Sequence, residues 1–466
     1  MEVLGRLSEN VVAAGPRVIT AAHPAAAAAG ATAFAQGGNA FDAALAACFM
    51  ETVALPMKCG LAGDLVALYR RENGNFETLV SVGPGPSALA EGATLERVGP
   101  RSVGVPGAPH GYATLHGFAR LGLDRLVAPA VRAAEEGIAW TRVALSYLVE
   151  AEELLDRVSP RHPYSPGGRR PQPGDVRRLP GLGRLLQKFA ALGADLFAGE
   201  EGEKLVAELR ARGGILSIKD LQARPATIAA PVVVTIREGT RLLATPAPTG
   251  GPRLGEVVLR TARTNAPLSA IVHAERNENK ARGRQPQDCG TSVVTAADDM
   301  GNAVVIVHSN SFPRFGSGVV LESGLVLNNR PGRGFDLTAP PGARNAPAAG
   351  RVPETTLHAW ALESDRGLFV GATPGGVNQL PWNAQCVTEI LAGAEIGAAV
   401  TNPRWALDER DEMSVEEGAV IRDETPVRRV PWLSLRSVQQ ILQVAKDGHR
   451  RAAADPRTGA LALAVY

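Results

Sequence analysis

Thr291 heads the segment TSVVTAADDMGNAVVIVHSN, ten residues before Gly301. A threonine hydroxyl is a poor nucleophile near neutral pH, but a free α-amine on the same residue can act as its base. Cleavage of the peptide bond between Gly290 and Thr291 would supply that amine, and its pKa of ~8 suits proton capture near neutrality. The hydroxyl could then attack an acyl carbonyl, whose tetrahedral oxyanion needs donors fixed in advance. Gly375 and Gly376, in the stretch TPGG, can bring backbone N–H groups close to such an oxygen because neither carries a Cβ. Each feature has an ordinary counterpart: a threonine opening a strand is a β-former, and a Gly-Gly pair is a turn. Asn310 and Asp336 could contact a ligand's amine or carboxylate, or equally serve in capping and turn hydrogen bonds.

Other chemistries have less to stand on. The chain contains no G-x-S-x-G elbow, no H-E-x-x-H, no P-loop and no C-x₂-C pattern. Its eight histidines are scattered without metal-ligand spacing, so neither a metal nor a cofactor is expected. Gly332-x-Gly334 is an isolated fragment. Cys48, Cys59, Cys289 and Cys386 form no C-x-x-C pair and read as reduced, buried thiols. A net charge of +2 over 466 residues gives no electrostatic footprint for nucleic acid or an anionic membrane. The first residues, MEVLGRLSENVVAAGPRV, lack a basic stretch followed by an apolar run. The alanine-rich stretch 21–34 is broken by His23, Pro24 and Gly30 and is too short to span a bilayer. A soluble, cytoplasmic protein acting on a small-molecule acyl donor, with water or an amine as acceptor, is expected.

The elements that would position these residues can be outlined. Residues from about Pro24 to Gln36 read as a helix ended by Gly37-Gly38, and Asn39 is placed to cap a second helix from Ala40 to Val53. Their small side chains predict close packing. LVALYRR after the loop 55–64 reads as a strand, and two amphipathic helices follow the turn VGVPGAPHG. The Pro-, Gly- and Arg-rich stretch 158–182 reads as a surface loop. Helices at 183–212 precede an extended segment, APVVVTIREGTRLLATP. TSVVTAA and AVVIVHSN form a hairpin about Gly301-Asn302, and GVVLES-GLVLNN reads as another. Helices flanking antiparallel strands indicate an α+β fold, as an αββα sandwich or a related layered form.

Taken in order, the motifs resemble the γ-glutamyltransferase family of N-terminal-nucleophile hydrolases. HPAAAAAG, GGNAFDAALAA, GLAGDL, SVGVPGAPHGYATLH and APAVRAAEEG resemble its large subunit. CGTSVVTAADDMGNAVVIVHSNSFPRFGSGVVLESGLVLNNR resembles the start of its small subunit, and Pro-x-Thr-Thr-Leu, TPGG and PRW follow in place. The resemblance implies self-cleavage before Thr291, dividing the chain into a large-subunit-like segment, 1–290, and a small-subunit-like segment, 291–466. The two would remain associated as one catalytic unit and form the αββα sandwich jointly. By the same resemblance Gly375 and Gly376 form the oxyanion hole and Ser309 supplies a hydroxyl supporting the nucleophile. Thr355 and Thr356 stand where the family has paired serines beside the substrate.

The chain also departs from the family pattern. Members that handle γ-glutamyl groups hold the α-carboxylate with an arginine, but the corresponding positions here are Val82 and Pro84. Val293 and Val294 replace the family's aromatic or histidine residues after the nucleophile. The stretch between Val258 and Thr291 is shorter than usual. These departures favour an acyl group other than γ-glutamyl, in the manner of the acylase-like branch, and some members of the wider family serve antibiotic biosynthesis. Two alternatives stand beside this reading. One is a true γ-glutamyl transferase whose carboxylate clamp has moved, for example to an arginine within 169–178. The other is an inactive relative retained for binding.

Overall fold

The hairpin strands Thr291–Ala297 and Ala303–Ser309 are buried along their whole length. Both of their faces must therefore be covered, and the fold supplies a layer on each side. In this computed structural model, which describes residues 11–264, 266–281, 290–408, 410–421 and 426–466, two seven-stranded sheets lie between helical layers. The sheet containing Thr291 runs, in spatial order, Leu461–Val465, Arg17–Ala21, Thr291–Ala297, Ala303–Ser309, Asp64–Arg70, Phe76–Ser81 and Ala226–Ala229. Its companion runs Val12–Gly15, Arg450–Ala454, Gln440–Val444, Gly367–Ala372, Trp360–Ser364, Thr240–Ala244 and Val232–Arg237. All pairings within these two sheets are antiparallel.

The period of two along each strand decides which layer a side chain joins. Val293, Ala297, Val305, Val307, Val66, Leu68 and Val82 point between the sheets, where they meet Leu243, Ala361, Val370 and Leu442 of the companion. Val294, Ala296, Val304 and Ile306 point the other way, into a helical layer that includes residues of Pro24–Ala35, Ala40–Ala54 and Leu123–Glu136. A second layer, including residues of Gly251–Arg263, Gln379–Leu391 and Ile396–Thr401, covers the companion sheet. This is the expected αββα sandwich, an α+β fold. Val293 and Val294 are both fully buried and fill the two core layers on either side of one strand.

The first two helices pack as their small residues predict. A Cβ on Gly30 would stand 2.7 Å from the carbonyl oxygen of Ala43, so the backbones approach too closely for a larger residue. Asn39 caps the second helix by accepting from Phe41 and Asp42, while Asp42 accepts from Asn39 in return. The stretch GVVLES-GLVLNN closes as a short antiparallel hairpin, bridged at Val320 and Val326, with Leu321 N donating to Leu325 O and Leu327 N to Val319 O. Further bonds anchor it, since Ser317 Oγ donates to Leu327 O and Val320 N donates to Ser159 Oγ. The loop 158–182 is partly anchored: Val176–Arg177 pairs with Ile138–Ala139, and Arg177 is buried with its guanidinium stacked on Trp140. Cys48, Cys59 and Cys386 are buried free thiols, whereas Cys289 lies outside the described residues.

Candidate active site

Register brings the site together. Thr291 is the cross-strand partner of Ser309, and Ser309 is the partner of Asp64. Because Leu65 pairs with Ser81, Asp64 lies level with Val82 just beyond that strand's end. Side chains at paired positions share a face, so Thr291, Ser309, Asp64 and Val82 form one row across four strands on the face between the sheets.

Thr291 and Ser309 are in direct contact, their hydroxyl oxygens 3.0 Å apart. Ser309 Oγ donates to the carbonyl oxygen of Gly290 at 2.8 Å and accepts from the backbone N–H of Ser311 at 2.9 Å. With the Ser309 proton given to Gly290, the proton between the two hydroxyls belongs to Thr291. The threonine oxygen is thus directed toward a hydroxyl that itself polarises the carbonyl preceding it. Both side chains are buried, at 2% and 1% exposure, where such hydrogen bonds are strengthened by the low local dielectric. Residue 290 has to be glycine: a Cβ there would sit 1.8 Å from the carbonyl oxygen of Ser311.

Asp64 ends the GLAGD loop and is fully buried. One of its oxygens accepts from Gly83 N at 3.1 Å, and the other accepts from Arg330 Nε at 2.7 Å. Burial raises the Asp64 pKa, against the lowering effect of Arg330. The asparagines of LNN bind the surrounding loops together. Asn328 Nδ2 donates to Ala62 O and Gly104 O, and Asn329 Nδ2 donates to Arg97 O and Phe312 O.

On the opposite face of the Ala303–Ser309 strand, His308 contacts Glu51 through Nε2 at 2.8 Å and the Tyr112 hydroxyl through Nδ1 at 2.7 Å. Glu51 also accepts from Ala22 N. Glu51, Cys59 and His308 come close enough together to surround a cation. Both imidazole nitrogens already have protein partners, however, so the arrangement is a satisfied structural network.

The other predicted residues fall in several places. Asn310 is fully buried, with Nδ2 donating to Pro56 O at 3.0 Å and Oδ1 without a partner among the described residues. Gly375 and Gly376 adopt φ of 155° and 53° and lead through a short turn into the helix Gln379–Leu391. The strand before them, Gly367–Ala372, pairs with Gln440 at its end. Gln440 Oε1 accepts from Thr20 Oγ1 at 2.6 Å, and Thr20 contacts Thr295 Oγ1 at 2.6 Å. The two sheets are thereby joined by a polar bridge on the Thr291 strand. Thr355 is buried and lines a cavity of about 380 Å³ with Pro248, Thr249, Arg253, Arg351 and Glu354. Thr356 O accepts from His358 Nδ1 at 2.8 Å. Asp336 Oδ1 accepts from Thr338 N and Thr338 Oγ1, the turn bonding that was its ordinary counterpart. Asp64, Arg330 and Ser311 were missed as site residues. Only the pairing register and the side-chain bonds bring them to Thr291.

Comparisons with known proteins bear on the fold and the family. The sequence profile described as Gamma-glutamyltranspeptidase matches residues 26–271 and 259–465. The glutathione hydrolase proenzyme of Bacillus subtilis is 23% identical over 86% of this chain and 82% of its own length. The oxamate amidohydrolase proenzyme of Klebsiella pneumoniae is 28% identical over 80% and 81%. The acylase ACY 1 proenzyme of Pseudomonas is 32% identical, over 46% of this chain and 42% of its own. Among solved structures, the cephalosporin acylase of Bacillus halodurans superposes with a TM-score of 0.82 at 24% identity, covering 97% of this chain and 96% of that one. With the profile spanning both sheets and the Thr291 hairpin, the chain belongs to the gamma-glutamyltranspeptidase family of hydrolases and transferases.

Proposed function

We propose that this chain is an autoprocessing N-terminal-threonine amidohydrolase or acyltransferase acting on a small acylated substrate. The observation that carries the reading is the contact set Thr291–Ser309–Gly290. In processing, Thr291 Oγ adds to the Gly290 carbonyl carbon while Ser309 hydrogen-bonds the developing oxyanion. Collapse breaks the C–N bond as the threonine hydroxyl proton passes to the leaving nitrogen, which frees the amine and leaves the Gly290 acyl group as an ester on Thr291. Water then hydrolyses the ester, releasing the Gly290 carboxylate and restoring the hydroxyl. In turnover the freed amine takes the hydroxyl proton as Oγ attacks the donor amide. The protonated amine returns that proton to the leaving nitrogen, and water or an amine accepts the acyl group.

Gly375 and Gly376 are assigned to the donor's oxyanion, with support from their position at the entrance to a helix N-terminus. Thr355, Thr356 and Asn310 are assigned to the substrate side. The segments 1–290 and 291–466 would stay together, because strands of both are interleaved in each sheet. Likeness to amidohydrolase and acylase proenzymes supports an acyl group other than γ-glutamyl, and a setting in secondary metabolism fits such a substrate. The test is turnover of p-nitroanilides by processed protein. Thr291→Ala should abolish it and Thr291→Ser should retain part of it. Turnover by the alanine variant would require another nucleophile.

A further inference from the structure

Two cations are buried behind the Ser309 strand end without an anion to match them. Backbone bonds hold the loop 55–64 against the segment that follows Ala303–Ser309. Asn310 N donates to Lys58 O, and Phe315 N donates to Met57 O. From this seam the side chains of Lys58 and Arg314 reach one buried ring, Tyr147 of the helix Arg142–Val158. Lys58 Nζ stands 5.8 Å from the ring centre, and Arg314 Cζ stands 3.9 Å from it. A third cation, the half-exposed Arg436, lies 5.7 Å from the same centre.

Lys58 is 2% exposed and Arg314 7%. Among the described residues Lys58 Nζ has no hydrogen bond or ion pair, and Arg314 Nη1 is buried without a partner. The carboxylate at this cluster, Glu150, contacts Arg436 and meets Arg314 only through Nε, at 3.4 Å. Three cations therefore share one carboxylate. Stacking on a π face offsets part of the cost of burying a cation, but it leaves N–H donors unsatisfied. The buried Arg457, by contrast, is met by both Glu416 and Asp455.

We propose that Lys58 and Arg314 form a binding site for a small tetrahedral oxyanion, phosphate or sulfate, separate from the Thr291–Asp64 row. Such an ion balances two cations and offers acceptor oxygens in several directions to Nζ and Nη1. Both cations are more than nine-tenths buried, which suits a free ion over a phosphoryl group carried on a larger molecule. Bound there, the ion ties the loop 55–64 to the segment packed on Gly290, where a Cβ would stand 3.3 Å from Pro313 O. The site does not depend on the reading of Thr291 as the nucleophile.

The experiment is isothermal titration calorimetry of the purified chain in chloride buffer at constant ionic strength. Phosphate and sulfate should each bind at a single site, and saturating them should raise the thermal midpoint. Acetate and phenyl phosphate should bind about tenfold or more weakly. Arg314→Gln and Lys58→Met should each weaken phosphate binding about ten- to hundredfold, the loss expected for a charge-assisted contact. Arg169→Gln, at an exposed arginine, should leave it unchanged. No binding above the chloride background overturns the proposal, as does unchanged affinity in Arg314→Gln and Lys58→Met. Equal affinity for acetate or phenyl phosphate would overturn the assignment to a small free oxyanion. If one variant does not fold, the other and the wild-type titration still decide.

Discussion

Replacing Ser309 by alanine separates the two reactions assigned to Thr291. In the uncleaved chain Ser309 donates to the Gly290 carbonyl oxygen at 2.8 Å and contacts Thr291 Oγ1 at 3.0 Å. Loss of one preorganised donor to an oxyanion costs ~2.7–4 kcal/mol, about 10²–10³ in rate. Cleavage before Thr291 should slow by that factor. After cleavage the Gly290 oxygen is no longer part of the reaction, and Ser309 acts on the nucleophile only through its hydrogen bond to Thr291. A single neutral hydrogen bond is worth ~0.5–1.5 kcal/mol, so turnover by the processed variant should fall by only about two- to tenfold. The variant also leaves Ser311 N without its acceptor, a destabilisation of ~1–3 kcal/mol that denaturant unfolding would register. The assay is a time course of fragment formation on denaturing gels, followed by anilide kinetics on the processed material. Cleavage at the wild-type rate, or turnover reduced as much as processing, would refute this division of roles.

Three further outcomes are expected. Gly290→Ala should slow fragment formation strongly, because its Cβ would overlap the Ser311 carbonyl oxygen at 1.8 Å; unaltered cleavage on the same gels would show that the scissile bond is not held as described. His358 donates from Nδ1 to Thr356 O and accepts at Nε2 from Asn383 Nδ2, and burial lowers its pKa from 6.5 to about 4. The unfolded chain therefore binds the proton first on acidification, and stability present above pH 6.5 is lost as pH falls toward 4. That loss is of order 3 kcal/mol in urea unfolding, and His358→Gln should flatten it. A γ-glutamyl anilide should turn over more slowly than simple N-acyl anilides, because no arginine stands at Val82 or Pro84 to hold its α-carboxylate. Equal or faster γ-glutamyl rates in side-by-side assays would contradict this.

Much of this architecture was legible in the sequence because local rules and tertiary demand agree there. Alanine- and glycine-rich helices that must approach closely, the Asn39 cap, and strands apolar on both faces all specify the sandwich directly. The GVVLES-GLVLNN hairpin is shorter than its β-branched run suggests, with a single bridge at Val320 and Val326. Val320 N turns away from the partner strand, to Ser159 Oγ. The Thr291–Ser309 pair could be anticipated from the motif spacing. Asp64 and Arg330 could not, because they lie far apart in sequence and meet only through the register of Ala303–Ser309 with Asp64–Arg70. Asn328 and Asn329 are similar cases, since their partners at Ala62, Gly104, Arg97 and Phe312 are all remote or loop carbonyls.

The central claim is that Thr291 becomes an N-terminal nucleophile, and intact mass spectrometry with N-terminal sequencing tests it most directly. Purified wild-type protein held at neutral pH should resolve into two fragments, 1–290 and 291–466, the second beginning Thr-Ser-Val-Val. Thr291→Ala should remain a single chain under the same conditions. A wild-type chain that stays intact over days, or an alanine variant that cleaves at the same bond, would contradict the account.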